Sequence, residues 1–121
     1  MKYVRMYTDE AGETHFEDVE VATAPQEFAP PTEPVHVSDP APAARILFVR
    51  IPRGWFGDWH ATPRRQFNTT IEGELEITMS DGESRVFGAG AVRLMEDTTG
   101  KGHQTRVVGD ADVVSLIAQT E

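Results

Sequence analysis

The chain has 121 residues, is 39% hydrophobic and carries a formal net charge of -9, which fits one domain built around one core. That charge, with no basic run longer than Arg64-Arg65, excludes a nucleic-acid-binding face and disfavours an anionic membrane surface. The absence of cysteine rules out disulfides, thiolate metal sites and cysteine nucleophiles and is compatible with the cytoplasm.

No apolar run approaches the ~20 residues of a membrane-spanning helix, and Met1 to Met6 is not followed by the apolar stretch of a secretory signal. Short strand signals recur along the whole chain. Tyr3 to Thr8 reads as a first strand, Asp9 to Gly12 as a turn and Thr14 to Val21 as its hairpin partner. The stretch from Pro25 to Pro42 holds six of the eight prolines. Proline donates no backbone hydrogen bond, so an extended arm is expected there, with at most a short edge strand at Val35 to Val37. Residues 1–44 are therefore read as a hairpin and arm packed on a barrel formed by residues 45–121.

Arg45 to Ile51 is a nearly continuous apolar strand, stopped by Pro52 and Gly54. Gln66 to Met79 alternates: Phe67, Ile71, Leu75, Ile77 and Met79 are apolar, and the residues between them are mostly polar. Gly73 divides this run. Asp81-Gly82 suits a hairpin turn that needs positive φ. Ser84 to Phe87, Ala91 to Met95, Gln104 to Val108 and Val113 to Ile117 complete the strands. Many short strands at this spacing predict an all-β barrel or sandwich.

Between Gly54 and Val108 the chain resembles the cupin superfamily. Its first motif is a strand with His-X-His, then a Glu and a Gly; the matching positions are His60, Thr62, Gln66 and Gly73. Its second motif has a Gly, a strand, a turn and a His, matched by Gly90, Gly100 and His103. The resemblance implies a double-stranded β-helix, or jelly-roll barrel. It also implies a divalent metal (Zn, Fe, Mn or Ni) in the barrel, for which His60, Gln66 and His103 are the candidate ligands. With Thr and Gln where the family has His and Glu, such an ion would be held weakly. Glu96 or Asp97 is a possible source of the missing carboxylate. No organic cofactor is expected.

Without metal, His60 and His103 are candidate acid/base groups, because a neutral imidazole titrates near pH ~6.5. Strand alternation gives a second argument. If His60 and Gln66 face inward, so do Arg64 and Asn68, and Phe67 and Ile71 need cover on the other face. The opposite register puts Phe67 and Ile71 in the barrel and His60 on the surface. The polar series His60, Thr62, Gln66, Asn68, Thr70 favours the first. Arg64, Gln66, Asn68 and Trp59 are then candidate substrate contacts, Arg64 as a fork for a carboxylate. Trp55, Phe56 and Trp59 are candidates for a wall or lid. Three functions stay open: an enzyme of isomerase, lyase or proton-transfer type acting on a polar metabolite, with or without a carboxylate; a non-catalytic ligand-binding module; and a purely structural dimer. A homodimer is the expected partner arrangement, with either its interface or the N-terminal hairpin and arm covering Phe67 and Ile71.

Overall fold

The computed structural model describes residues 1–121 and is entirely β. Its strands are β1 (Lys2–Thr8), β2 (Thr14–Glu20), β3 (Ala24–Gln26), β4 (Val35–Val37), β5 (Arg45–Ile51), β6 (Phe56–His60), β7 (Gln66–Glu72), β8 (Glu74–Met79), β9 (Ser84–Phe87), β10 (Val92–Met95), β11 (His103–Val108) and β12 (Val113–Gln119). One sheet has the order β2-β1-β10-β7-β12-β5 and a second the order β6-β11-β8-β9, with β3-β4 as a separate ribbon.

The N-terminal hairpin belongs to the larger sheet. Its β1 runs parallel to β10, with Met6 opposite Met95. The hairpin turn is built by Asp9, whose carboxylate accepts the backbone N–H groups of Ala11 and Glu13 at 2.9 and 3.0 Å, as short acidic side chains do in turns. Ser38 to Ala41 of the proline-rich arm share a cleft with Tyr3 and Phe67.

The long alternating run changes sheets at Gly73. Its φ is +78°, and a β-carbon there would lie 2.5 Å from the carbonyl oxygen of Asp112. Glycine thus lets one amphipathic segment supply β7 to one sheet and β8 to the other. Between the sheets lie Met6, Phe16, Leu75, Ile77, Met79, Phe87, Met95, Val107 and Val113, all buried. Each such large side chain removed from water stabilises the fold by roughly 2 kcal/mol.

In β7 the polar series faces this interior: Gln66 and Thr70 are buried, while Ile71 is 44% exposed on the opposite face. Phe67 is half-buried and makes an edge-on contact with Tyr3, ring centroids 5.6 Å apart. The outer face of β5 carries Ile46 and Phe48, 68% and 71% exposed.

Outside the barrel, His15 ties two hairpin turns together. Its Nε2 lies 2.7 Å from Asp9 and its Nδ1 3.0 Å from Asp81. The bond to Asp9, and then the one to Asp81, raise the His15 pKa above 6.5 despite partial burial. The same bond to His15 lowers the Asp9 pKa below 3.8. Folding therefore takes up a proton on His15, and that contribution is complete below pH 6.5 and lost as pH rises through the folded pKa. The Asp9 contribution is present above pH 3.8 and lost as pH falls through its depressed value. Thermal melts should show wild-type chain losing stability between pH 6 and pH 8 relative to His15→Gln. Parallel pH profiles for the two proteins would disprove the linkage.

Candidate functional site

Two imidazoles meet where β6 and β11 pair. His60 and His103 are direct register partners, and their ring centroids lie 4.5 Å apart. Gly102 permits this approach: its φ is +72°, and a β-carbon there would sit 2.2 Å from the carbonyl oxygen of His60.

The two rings are held differently. His103 is 2% exposed, and its Nδ1 lies 2.5 Å from Oδ2 of Asp97, itself fully buried. The other carboxylate oxygen of Asp97 accepts the Thr62 hydroxyl at 2.8 Å, and its backbone carbonyl accepts the N–H of Thr62 at 3.0 Å. Nδ1–H of His103 donates to the carboxylate, leaving Nε2 as the nitrogen available to a ligand. His60 is exposed, and its Nδ1 is 2.6 Å from the carbonyl oxygen of Asp58. A carbonyl only accepts, so Nδ1 of His60 carries the hydrogen and Nε2 is again the free nitrogen.

Both histidines line an interior cavity of about 110 Å³ with Asn68, Arg93, Thr105, Ile51, Trp55, Leu75, Ile77 and Met95. One wall is therefore apolar and the other carries donors and acceptors, as ligand pockets do.

No family model matches the chain, and no curated protein does. Solved structures do. A Cupin 2 conserved barrel domain protein from Salinispora arenicola superposes with a TM-score of 0.51 at 16% identity, over 84% of this chain and 76% of that one. The Cnp3 cupin domain of Schizosaccharomyces pombe gives 0.50 at 10% identity, over 99% of this chain and 84% of that one.

The fold is that of the cupin superfamily.

A protein of unknown function from Streptococcus pyogenes is also similar (TM-score 0.47, 20% identity); the match covers 63% of each chain, so this chain spans less than two thirds of that protein's length. Identities this low carry the fold and leave the chemistry to the residues of this barrel.

Those residues do not form the metal set that the sequence resemblance implies. Gln66, expected as a ligand and substrate contact, is engaged elsewhere: its Oε1 accepts Nε2–H of Gln119 at 3.2 Å, and its own Nε2 lies 3.7 Å from the sulfur of Met95. Gln66 faces Met95 and Gln119 on the two neighbouring strands, so sheet pairing absorbs the amide. Thr62 is turned to Asp97. Glu96 lies between Arg5 and Arg65, at 2.5 and 2.6 Å. Burial pushes its pKa up, but Arg65 and Arg5 together hold it below the usual carboxylate value. Asp97 stands behind His103 as its orienting group. No group of three or more His, Asp or Glu side chains converges. Two imidazoles in a cavity that also contains a guanidinium do not fit a tightly held divalent ion.

Two further candidate contacts lie outside this cavity. Arg64 is exposed in the loop between β6 and β7, because β6 ends at His60 and the bend around Pro63 breaks the strand parity that would turn Arg64 inward. Trp59 lies outside the cavity, beside Ser80 and Lys101, because it precedes His60 on a strand and so faces the other way. Trp55 is the aromatic in the cavity wall. Its indole lies over Gly57, where a β-carbon would meet the ring at 2.3 Å. Lys101 pairs with Glu13 at 2.6 Å. Asn68 does line the cavity. Sequence reasoning did not single out Arg93. A signal was present: a lone charge in the apolar strand Ala91 to Met95, two residues before Met95 and so on its face.

Proposed function

We propose that this cupin is a small-molecule enzyme that moves protons, of isomerase or lyase type, without a firmly bound metal. The observation that carries the reading is the buried Asp97–His103 couple in contact with His60 in the wall of one cavity. Asp97 selects the tautomer of His103, holds its ring and lies against the imidazolium formed when Nε2 takes a proton. His60, at the cavity mouth, is the complementary group that donates or accepts the second proton. In such a reaction Nε2 of one imidazole removes a carbon-bound proton from the substrate. The electron pair moves into the adjacent carbonyl, and the other imidazole, entering the step as an imidazolium, delivers its Nε2 proton to the oxygen or to the neighbouring carbon and is left neutral, while the first imidazole holds the abstracted proton. The apolar wall limits access of bulk water to the intermediate.

The test is exchange of carbon-bound protons for deuterium in D2O, followed by NMR on a panel of short 2-oxo and 3-hydroxy acids. Wild-type chain should catalyse exchange for at least one compound. His103→Asn should reduce it by about 10²–10⁴-fold, and Asp97→Asn should also lower the rate by releasing the tautomer. Saturable binding of panel members without any exchange would overturn the catalytic reading and favour a non-catalytic binding module. Exchange insensitive to His103→Asn would remove His103 from the chemistry. We further propose that the partner is a second copy of this chain, because the outer face of β5 carries the exposed Ile46 and Phe48.

A further inference from the structure

Three buried side-chain polar atoms in the protein have no hydrogen-bond partner: Asn68 Oδ1, Arg93 Nε and Ser115 Oγ. They lie on the three adjacent strands β10, β7 and β12, and two of them, Arg93 and Asn68, belong to residues that line the cavity. Arg93 is the register partner of Asn68 across β10 and β7, and Ser115 is the partner of Thr70 across β12 and β7. Buried polar atoms are nearly always satisfied, so a cluster of exceptions marks where something else binds.

Arg93 is the informative member. It is 1% exposed, and no carboxylate pairs with it. Its polar contact is one bond from Nη1 to the hydroxyl of Thr70 at 3.0 Å, and its guanidinium carbon lies 4.9 Å from the ring centre of Phe87. Burial lowers its pKa to about 10, which leaves it fully charged near neutral pH. The arginines that form ion pairs (Arg5, Arg65, Arg85 and Arg106) all reach solvent and pair with Glu or Asp. A buried, uncompensated cation is expensive unless a counter-charge reaches it. The cavity contains Arg93, Asn68, His60 and His103 and no acidic side chain. Asp97 is screened from it by His103.

We propose that Arg93, with Asn68, is the anchor for a carboxylate, and that the natural ligand is a short-chain monocarboxylate. A guanidinium presents paired donors that match a carboxylate, and the amide of Asn68 sits beside it. The remaining wall, Leu75, Ile77, Met95, Ile51 and Trp55, suits a short hydrocarbon or oxo-substituted chain rather than a second charge. The cavity volume of about 110 Å³ corresponds to about four waters at ~30 Å³ each, so the ligand is small. This deepens the proposed function, on which the assignment of chemistry to the ligand rests: the carboxylate is fixed at Arg93 and the reacting carbons lie toward His103 and His60.

The test measures binding, so it stands apart from turnover. The probes are 2-oxobutyrate, butyrate and the neutral butyramide, titrated into full-length protein while the arginine Nε–H resonances are followed by ¹H–¹⁵N NMR. Butyrate and 2-oxobutyrate should shift the Arg93 Nε–H resonance saturably, and butyramide should not. Arg93→Met should weaken carboxylate binding by about 100-fold. It should also melt at or above the wild-type temperature without ligand, because methionine fills the site without a buried charge. Arg93→Lys keeps the charge and loses the fork, and should fall between them. Equal binding of butyrate and butyramide, or undiminished butyrate binding by a folded Arg93→Met, would overturn the anchor. A ligand-free Arg93→Met that melts well below wild type would assign Arg93 to the core instead. Binding by His103→Asn with exchange lost would leave the anchor standing and separate it from the acid–base reading.

Discussion

Gly102→Ala should cost roughly 3 kcal/mol more stability than Gly109→Ala. Both glycines have positive φ, +72° and +79°, so an alanine at either pays the same conformational penalty of about 1 kcal/mol. They differ in their surroundings. Nothing lies within 4 Å of a β-carbon at Gly109, whereas one at Gly102 would be 2.2 Å from the carbonyl oxygen and 2.3 Å from the carbonyl carbon of His60. Backbone atoms cannot rotate aside as a side chain can, so the end of β6 must move. The carbonyl of Gly102 also accepts the Thr14 hydroxyl at 2.7 Å, which ties the same peptide to the first hairpin. The substitution should therefore separate His60 from His103 as well as destabilise the barrel. Urea unfolding of the two variants gives the difference directly. Equal losses would show that the close approach of β6 and β11 is not a constraint.

In the proposed homodimer, Phe48→Glu should shift the protein from dimer to monomer. The outer face of β5 presents Phe48 and Ile46, and the register places Leu116 and Ala118 of β12 beside them. On β7, Phe67 stands opposite Ala118 and Thr69 opposite Leu116. The exposed apolar side chains Ile46 and Phe48 thus lie at the edge of a mostly apolar face of the larger sheet, of the kind that mediates association. The total charge of -9 opposes non-specific clustering, so closure by one two-fold contact is expected. In a two-fold interface every substitution occurs twice. Two buried glutamates at about 2 kcal/mol each should raise the dissociation constant by about 10³-fold. Light scattering across a concentration series measures this. A monomeric wild-type chain would rule out the partner, and a dimer indifferent to Phe48→Glu would rule out this face.

Much of the architecture was legible because it rests on local chemistry. The alternation from Gln66 to Met79 with a glycine in its middle identified β7 and β8, and Asp81-Gly82 identified the turn between β8 and β9. The stretch Arg45 to Ile51 shows the limit of such reading. It is a nearly continuous apolar run, the pattern of a strand covered on both faces, yet β5 is an edge strand whose Ile46 and Phe48 are exposed. Local pattern reports which residues avoid water, not which partner covers them. The strands β3 and β6 gave no signal of their own. They are short, and in β6 the segment Phe56–His60 has a glycine and no clean alternation.

The sequence by itself determined an all-β chain with its turns and two histidines at positions where a cupin barrel would bring them together; it left two registers open for the series Gln66, Asn68, Thr70, and the fold decided for the inward one. These follow from side-chain period and glycine conformation, which act over a few residues. Tertiary structure alone decided what each polar group does. Pairing of β7 with β10 and β12 gave Gln66 to Gln119 and Met95, the fold of the 61–65 loop sent Arg64 to solvent, and packing of that loop placed Thr62 and Asp97 behind His103. The same pairing set Arg93 beside Asn68, 25 positions away in the chain. An ionisable side chain takes its role from the partners and solvent around it, and those are assembled only when distant strands meet.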